Sequence, residues 1–184
     1  MGGGVKPEGR PDVVVRRATL GDIEQMATNM QLVADEGRYL WVEKVTEETK
    51  GMLKRMIEDK GCLALVAEAG RGRQRKLVGS LTLGRYGQTV KKSQHVRVLA
   101  MLVIDGYRDM GIGSKLMEES VRWSKRQPGV EKVILGVFSN NGRALGLYEK
   151  FGFKVEGVRK DHYYIDGKHE DEIDMALFVK GPRA

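Results

Sequence analysis

The chain has 184 residues, 41% hydrophobic and 31% charged, with a formal net charge of +7. That is the length and balance of one globular domain with a sizeable core, and no apolar run reaches the roughly 20 residues of a membrane span. A single cysteine, Cys62, permits no internal disulfide and fits a reducing, cytoplasmic setting, with a buried strand residue as its role in C-L-A-L-V-A.

Met1 to Asp12 carries consecutive glycines and two prolines without an apolar segment, which reads as a loose tail, and residues 13–184 then read as one domain. Val13-Val14-Val15 with Arg16-Arg17 predicts a first strand. Thr19-Leu20-Gly21-Asp22 supplies a helix cap with an acid three residues on, and Ile23, Met26, Ala27, Met30 and Val33 keep helical spacing toward Gly37. Thr46-Glu47-Glu48 opens a second helix whose apolar stripe is Met52, Leu53, Met56 and Ile57. Strands Leu63 to Glu68 and Leu77 to Leu83 follow, joined by a basic, glycine-rich turn.

A third strand, His95 to Ile104, leads into the most informative stretch of the chain. After Asp105-Gly106 and a short loop, Arg108-Asp109-Met110-Gly111-Ile112-Gly113 opens a helix with Ile112, Leu116, Ser120 and Trp123 on one stripe, stopped by Gln127-Pro128-Gly129. The first N–H groups of a helix lack intrahelical partners and its dipole is positive there, so a strand feeding a helix through glycines holds an anion. Gly111 and Gly113 would remove the Cβ atoms that keep a phosphate from those donors. Two better-known phosphate loops are excluded. Gly106 to Gly111 has the Walker interval but continues Ile112-Gly113 instead of Lys-Ser/Thr, and Leu116 stands where a dinucleotide fingerprint needs its third glycine.

Val133 to Phe138 is a buried-looking strand, parallel to its predecessor by the β-α-β rule, since both are nearly continuously apolar. Asn140-Asn141 starts a short helix from Arg143 to Lys150. Lys154 to Val158, Tyr163 to Ile165 and Ile173 to Val179 complete the strands, with Asp166-Gly167 as a tight turn.

Two separated motifs now coincide. L-V-x-x-x-x-R-x-x-G-I-G runs from Leu102 to Gly113, and N-x-x-A-x-x-L-Y-x-x-x-G-F from Asn141 to Phe153. In this order, with a helix and a strand between them, they resemble the GNAT superfamily of acetyl-coenzyme-A-dependent N-acetyltransferases. The resemblance implies an α/β (α+β) fold: a mixed, mostly antiparallel sheet with a central splayed parallel pair and about four flanking helices. It implies acetyl-CoA as acyl donor and no metal. It also implies backbone pairing of Met101, Leu102 and Val103 with the pantetheine arm, and the pyrophosphate on the amides of Arg108, Asp109, Met110, Gly111, Ile112 and Gly113. By the same resemblance Asn141 hydrogen-bonds the arm, and Tyr148 lies near the cofactor sulfur as general acid.

The reaction so implied is direct attack of a substrate amine on the thioester, which needs a neutral amine, an oxyanion donor and an acid for the thiolate. An unpaired strand-edge N–H near Leu102 or Val103 is the expected oxyanion donor. Relatives that acetylate protein N-termini read L-E-V in the strand before the asparagine, the Glu serving as base, whereas this chain reads Leu135-Gly136-Val137. The base is therefore open, with His95, Glu36 and His162 as candidates and release of the proton to water as a further option.

The acceptor expected is a small amine or amino acid, on the likeness of G-R-Y-L-W-V-E-K and Y-Y-I-D-G-K-H-E to the branch acting on such molecules. A peptide or protein N-terminus is the alternative, and a non-catalytic acyl-CoA sensor a third reading. The resemblance allows a homodimer. From Ala69 to Ile104 there is no acid, while Arg71, Arg73, Arg75, Lys76, Arg85, Lys91, Lys92 and Arg97 are all basic. These charges fall on turns at opposite strand ends, with Tyr86 as the lone aromatic, so solvated turns are preferred over a nucleic-acid contact.

Overall fold

A computed structural model describes residues 11–87 and 90–180, and of Arg73 the backbone alone. Ten of the twelve expected tail residues lie outside the described residues. Asp12 belongs to the domain instead, because its carbonyl accepts from Gly70 N–H at 3.0 Å and its carboxylate from Arg75 at 2.7 Å.

Strand β1 (Val13–Arg17) is followed by a single 3₁₀ turn and helix α1 (Ile23–Ala34). The turn is fixed by Asp22, whose carboxylate takes the N–H and hydroxyl of Thr19 and the guanidinium of Arg16. Arg16 also reaches Glu68, so the start of α1 is tied to the neighbouring strand, and this pairing holds the Asp22 carboxyl well below the usual carboxylate range. Helix α2 (Glu47–Glu58) begins with Thr46 and Thr49 capping each other reciprocally. Then come β2 (Leu63–Ala69), β3 (Lys76–Arg85), β4 (Val96–Val103), α3 (Ile112–Arg126), β5 (Lys132–Phe138), α4 (Gly142–Lys150), β6 (Lys154–Ile165) and β7 (Lys168–Phe178).

The strands form one sheet in the order β1-β2-β3-β4-β5-β7-β6, antiparallel except for β4 against β5. This is the mixed sheet with four helices expected from the sequence. Alternation along β2 shows its two faces: Leu63, Leu65 and Ala67 join the larger core with Ile112, Leu116 and Met117 of α3 and Tyr148 of α4. Ala64 and Val66 turn the other way, to Met26 of α1 and Leu53 of α2. The two expected strand pieces at 154–158 and 163–165 are one strand. The polar Lys160-Asp161-His162 run is accommodated by a register shift in which Asp161 takes φ 50° and its N–H reaches Asp171.

The parallel pair positions the site. β4 and β5 are in register from Val96↔Lys132 to Val98↔Ile134 and pair no further among the described residues. Beyond that point β4 follows β3 up to Gly79↔Val103, and β5 follows β7 up to Phe138↔Glu172. Each strand stays with its outer partner, so the sheet opens between them.

Candidate active site

The opening is a cleft of about 330 Å³, walled by Leu99 to Val103 on one side and Gly136 to Phe138 on the other. Ala100 and Gly136, mid-strand residues that a closed sheet would bury, are exposed in it. Hydrogen bonds flanking the gap fix which backbone groups face it. Ile104 N–H goes to Val78 and Val96 accepts from Tyr86, so even-numbered residues of β4, Leu102 included, pair with β3. His95 C=O accepts from Lys132, so the odd-numbered ones face β5. Past the split, Met101 and Val103 therefore turn their N–H and C=O into the gap, and Leu102 does not. On β5, Ser139 N–H goes to Asp171 and Val179 N–H to Glu131, which sends odd residues to β7 and leaves the backbones of Gly136 and Phe138 facing the gap.

At one end the cleft runs into the N-terminus of α3. Its cap residue is Gly111 at φ +81°, with no side chain capping the helix, and Gly111, Ile112, Gly113 and Ser114 all line the cleft. The orphan N–H groups of the first turn are thus open on an anion-sized space. The two glycines serve different purposes. Gly111 adopts a left-handed conformation, and a Cβ there would meet nothing within 4 Å. A Cβ on Gly113 would sit 3.0 Å from Leu147, so this glycine lets α3 approach α4 and does not clear the anion's path.

The loop before α3 is braced by Arg108. Its Nε donates to Val103 C=O at 2.8 Å and its two terminal nitrogens bind both oxygens of Glu36, while the Tyr39 ring lies over it with 5.1 Å between guanidinium and centroid. Arg108 thus contributes backbone to the anion end, its side chain being occupied. Arg143, at the start of α4 and 3.3 Å from Asp109, brings a second positive charge there that sequence reasoning missed. Asp109 itself has φ 63°, the strained turn that aims the loop, with Met110 packed on the larger core.

Asn141 caps α4, accepting from Ala144 N–H at 3.2 Å, and lines the cleft. Seven residues on, Tyr148 is 6% exposed and lines the same cleft, stacked at a tilt on Phe153. Burial pushes its phenol up to about 12, so it keeps its proton throughout the neutral range.

None of the three candidate bases lines the cleft. His95 is exposed just before β4, at the closed end of the parallel pair, about 20 Å along the strand from Met101 at ~3.3 Å per residue. Glu36 has both oxygens taken by Arg108. His162 is on β6, its Nε2 3.5 Å from Glu172.

Among the described residues two carboxylates line the cleft: Asp109, at the anion end and paired with Arg143, and Glu172, beside the split. The Glu172 side chain is 3% exposed, on β7, on the same sheet face as Gly136, and a Cβ built on Gly136 would collide with its Oε1. Oε2 accepts from Arg159 at 2.6 Å and lies 3.4 Å from the Tyr163 hydroxyl, and Arg159 is shared with Asp174. Starting the last strand at Ile173 places Glu172 in the hairpin, where an acid-rich run reads as solvated. The strand begins at Lys168, and its pairing with β5 carries Glu172 inward.

The remaining wall is Val33 of α1 with Tyr39, Leu40 and Trp41 of the α1–α2 loop, and Arg38 in that loop lies 3.7 Å from Asp166 in the β6–β7 turn. The acid-free basic segment is partly consumed inside the fold. Arg97 is buried on the carbonyls of Gly61, Gln94 and Val96, and Arg85 pairs with Asp59, beside the buried Cys62. No described helix is long and apolar enough to cross a membrane.

Residues 27–153 match the sequence profile described as the Acetyltransferase (GNAT) family. An N-alpha-acetyltransferase of Sulfurisphaera tokodaii is 30% identical over 166 residues, covering 88% of this chain and 90% of that protein. The L-amino acid N-acetyltransferase AaaT of Escherichia coli is 26% identical over 165 residues, covering 90% and 97%. Among solved structures, that of yncA from Salmonella typhimurium with its cofactor acetyl-CoA superposes with a TM-score of 0.82 at 16% identity, covering 94% of this chain and 97% of that one.

Proposed function

The chain belongs to the GNAT acetyltransferase family and is an acetyl-CoA-dependent N-acetyltransferase, and from that premise we propose that it acetylates a small primary amine, amino acids first, within a ternary complex at the split between β4 and β5. The observation that carries this reading is the cleft itself: one continuous space joins an uncapped helix N-terminus, two strand edges with free backbone groups, and a buried tyrosine. Such a space fits a ligand with an anionic head and an amide-bearing arm.

The residues that would hold acetyl-CoA follow from that chemistry. The amides from Arg108 to Gly113, above all those of Gly111, Ile112 and Gly113, take the pyrophosphate, with Arg143 adding charge. Met101 pairs with the arm from β4, the Val103 C=O being held by Arg108, and Asn141 donates its side-chain N–H₂ to the arm while its Oδ1 caps α4. When bound, acetyl-CoA supplies an activated acyl carbon. The Val103 N–H faces the gap at the open end of β4 and would stabilise an oxyanion there, and Tyr148 holds the proton that a departing thiolate needs.

On the acceptor side, the wall formed by Val33, Tyr39, Leu40 and Trp41 is aromatic and aliphatic, and the Arg38–Asp166 contact links it to the β6–β7 turn, which suits a compact acceptor. The likeness to an L-amino acid N-acetyltransferase supports the same reading. Resemblance to N-alpha-acetyltransferases supports a second one, the N-terminus of a polypeptide. Incubation with acetyl-CoA and separate panels of amino acids, polyamines and peptides decides between them. Turnover of free amino acids or small amines is expected. Turnover of peptides alone selects the second reading, and failure to bind acetyl-CoA by calorimetry would overturn both.

A further inference from the structure

We propose that Glu172 is the proton acceptor for the substrate amine, brought into the cleft by β7 at the point where β5 carries no side chain. The inference rests on the reading of the chain as an amine acetyltransferase and supplies the residue that reading lacks. An amine is protonated near neutral pH and has no lone pair to offer until a base removes a proton.

Three observations meet at this carboxylate. Glu172 lines the cleft although its side chain is almost fully buried, an expensive position for a negative charge unless it is held and used. Its two oxygens are unlike. Oε2 is held from β6 by Arg159, with the Tyr163 hydroxyl and His162 Nε2 beside it, whereas Oε1 has no hydrogen-bond partner among the described residues. Oε1 also occupies the space that any side chain at position 136 would fill, so Gly136 is what admits it. The charges around it favour a cation: the one guanidinium of Arg159 divides between the carboxylates of Glu172 and Asp174, and the facing residues of β5, Gly136 and Phe138, bring no charge.

The acceptor ammonium gives one proton to Oε1, directly or through one water, and the freed nitrogen lone pair forms the C–N bond to the acyl carbon. The C–S bond breaks with its electrons leaving on sulfur. The nitrogen loses its second proton, the sulfur gains one, and Glu172 releases its own to solvent, giving amide, thiol and one proton.

Glu172→Gln keeps the shape and the hydrogen bond to Arg159 while removing the basic oxygen. With an acceptor amine that is protonated at the assay pH, kcat is expected to fall about 10²-fold, within the range for loss of a positioned base, with acetyl-CoA affinity changed less than about twofold. The loss should shrink to a few-fold for acceptor amines that are already neutral at that pH, and the variant's rate should climb with pH as free amine accumulates. A purely structural glutamate gives the same loss for every acceptor, and that result, or a kcat within twofold of the unaltered protein, overturns the proposal. A second variant, Gly136→Glu combined with Glu172→Ala, moves the carboxylate one strand over, from β7 to its paired neighbour β5. Recovery of at least tenfold over E172Q supports the proposal; a folded double variant as slow as E172Q overturns it. Should the unaltered protein acetylate no amine while binding acetyl-CoA, it is the proposed function that fails.

Discussion

Two sides of one cleft are made in different ways. Toward α3 the wall comes from one uninterrupted stretch, Leu99 to Gly113, and presents mainly backbone: strand-edge groups at Met101 and Val103, then the first amides of a helix. Toward α1 and α2 it comes from four separate places, Val33, the loop from Tyr39 to Trp41, Gly136 to Phe138 and Glu172, and apart from the β5 edge it presents side chains. Backbone can grip a ligand common to a whole family, because its donors are set by φ, ψ and strand register alone. Side chains select what differs from one relative to another, and here they place an acid among aromatic and aliphatic groups.

Tyr148 stands between the two sides and gives the largest expected effect apart from that of Glu172. If its phenol protonates the thiolate, Tyr148→Phe lowers kcat by about 10²-fold or more while acetyl-CoA affinity barely changes, since the ring still packs on Phe153. Burial raises its pKa to about 12, so ionisation removes the proton only near that pH, and no alkaline loss from this group is expected across an ordinary assay range. A rate unchanged in Tyr148→Phe would make it a packing residue like its neighbour Leu147.

On the backbone side, Gly111→Ala forces a methyl-bearing residue to φ +81°, costing about 1–2 kcal/mol if the helix start is kept. The loop is expected to relax instead and turn its amides from the anion. Acetyl-CoA affinity measured by calorimetry should then fall about tenfold, the equivalent of ~1.4 kcal/mol, with kcat at saturating donor little altered. A selective loss of kcat at unchanged affinity would place Gly111 with the chemistry rather than with the anion.

Glu36 tests the boundary between the sides. It belongs to the turn after α1, yet its contacts run to Arg108 and through it to Val103, on the backbone side. Glu36→Gln should therefore behave as a bracing variant, with stability lower by about 1–2 kcal/mol for the weakened charge-assisted pair, acetyl-CoA affinity a few-fold poorer, and the pH profile of kcat retained. A profile that loses its acid limb would return Glu36 to the chemistry.

The same contrast explains what the sequence disclosed. The strand-to-helix wall of the cleft was legible because its glycine spacing lies within one local run, and the sheet because apolar alternation and cap residues are local too. Gly136 was visible as a departure, yet its meaning was not. Only the pairing of β5 with β7 shows that the absent side chain makes room for Glu172, 36 positions later, and an acid in the run Glu170 to Asp174 carries no sign of facing inward. His95 lies away from the cleft for the complementary reason: its strand is local and readable, but where the parallel pair closes and where it opens is a property of β3 and β7, which draw β4 and β5 apart.

Gly113 is the case in which the local run and the fold give different reasons for one glycine, and it yields the smallest effect. Beside Gly111 in a G-I-G run, it reads as a second cleared path for phosphate. In the fold its missing Cβ faces Leu147 Cδ2, the mobile tip of a leucine on α4. Gly113→Ala thus sets a tight 3.0 Å contact, relieved by a small rotation of Leu147, against the roughly 1 kcal/mol that alanine gains over glycine inside a helix. The two nearly cancel. Thermal stability should stay within about 1 kcal/mol of the unaltered protein and acetyl-CoA affinity within twofold, whereas Gly111→Ala loses about tenfold two residues away. Equal losses at the two positions would mean that both glycines clear the anion's path and that the helix contact is incidental.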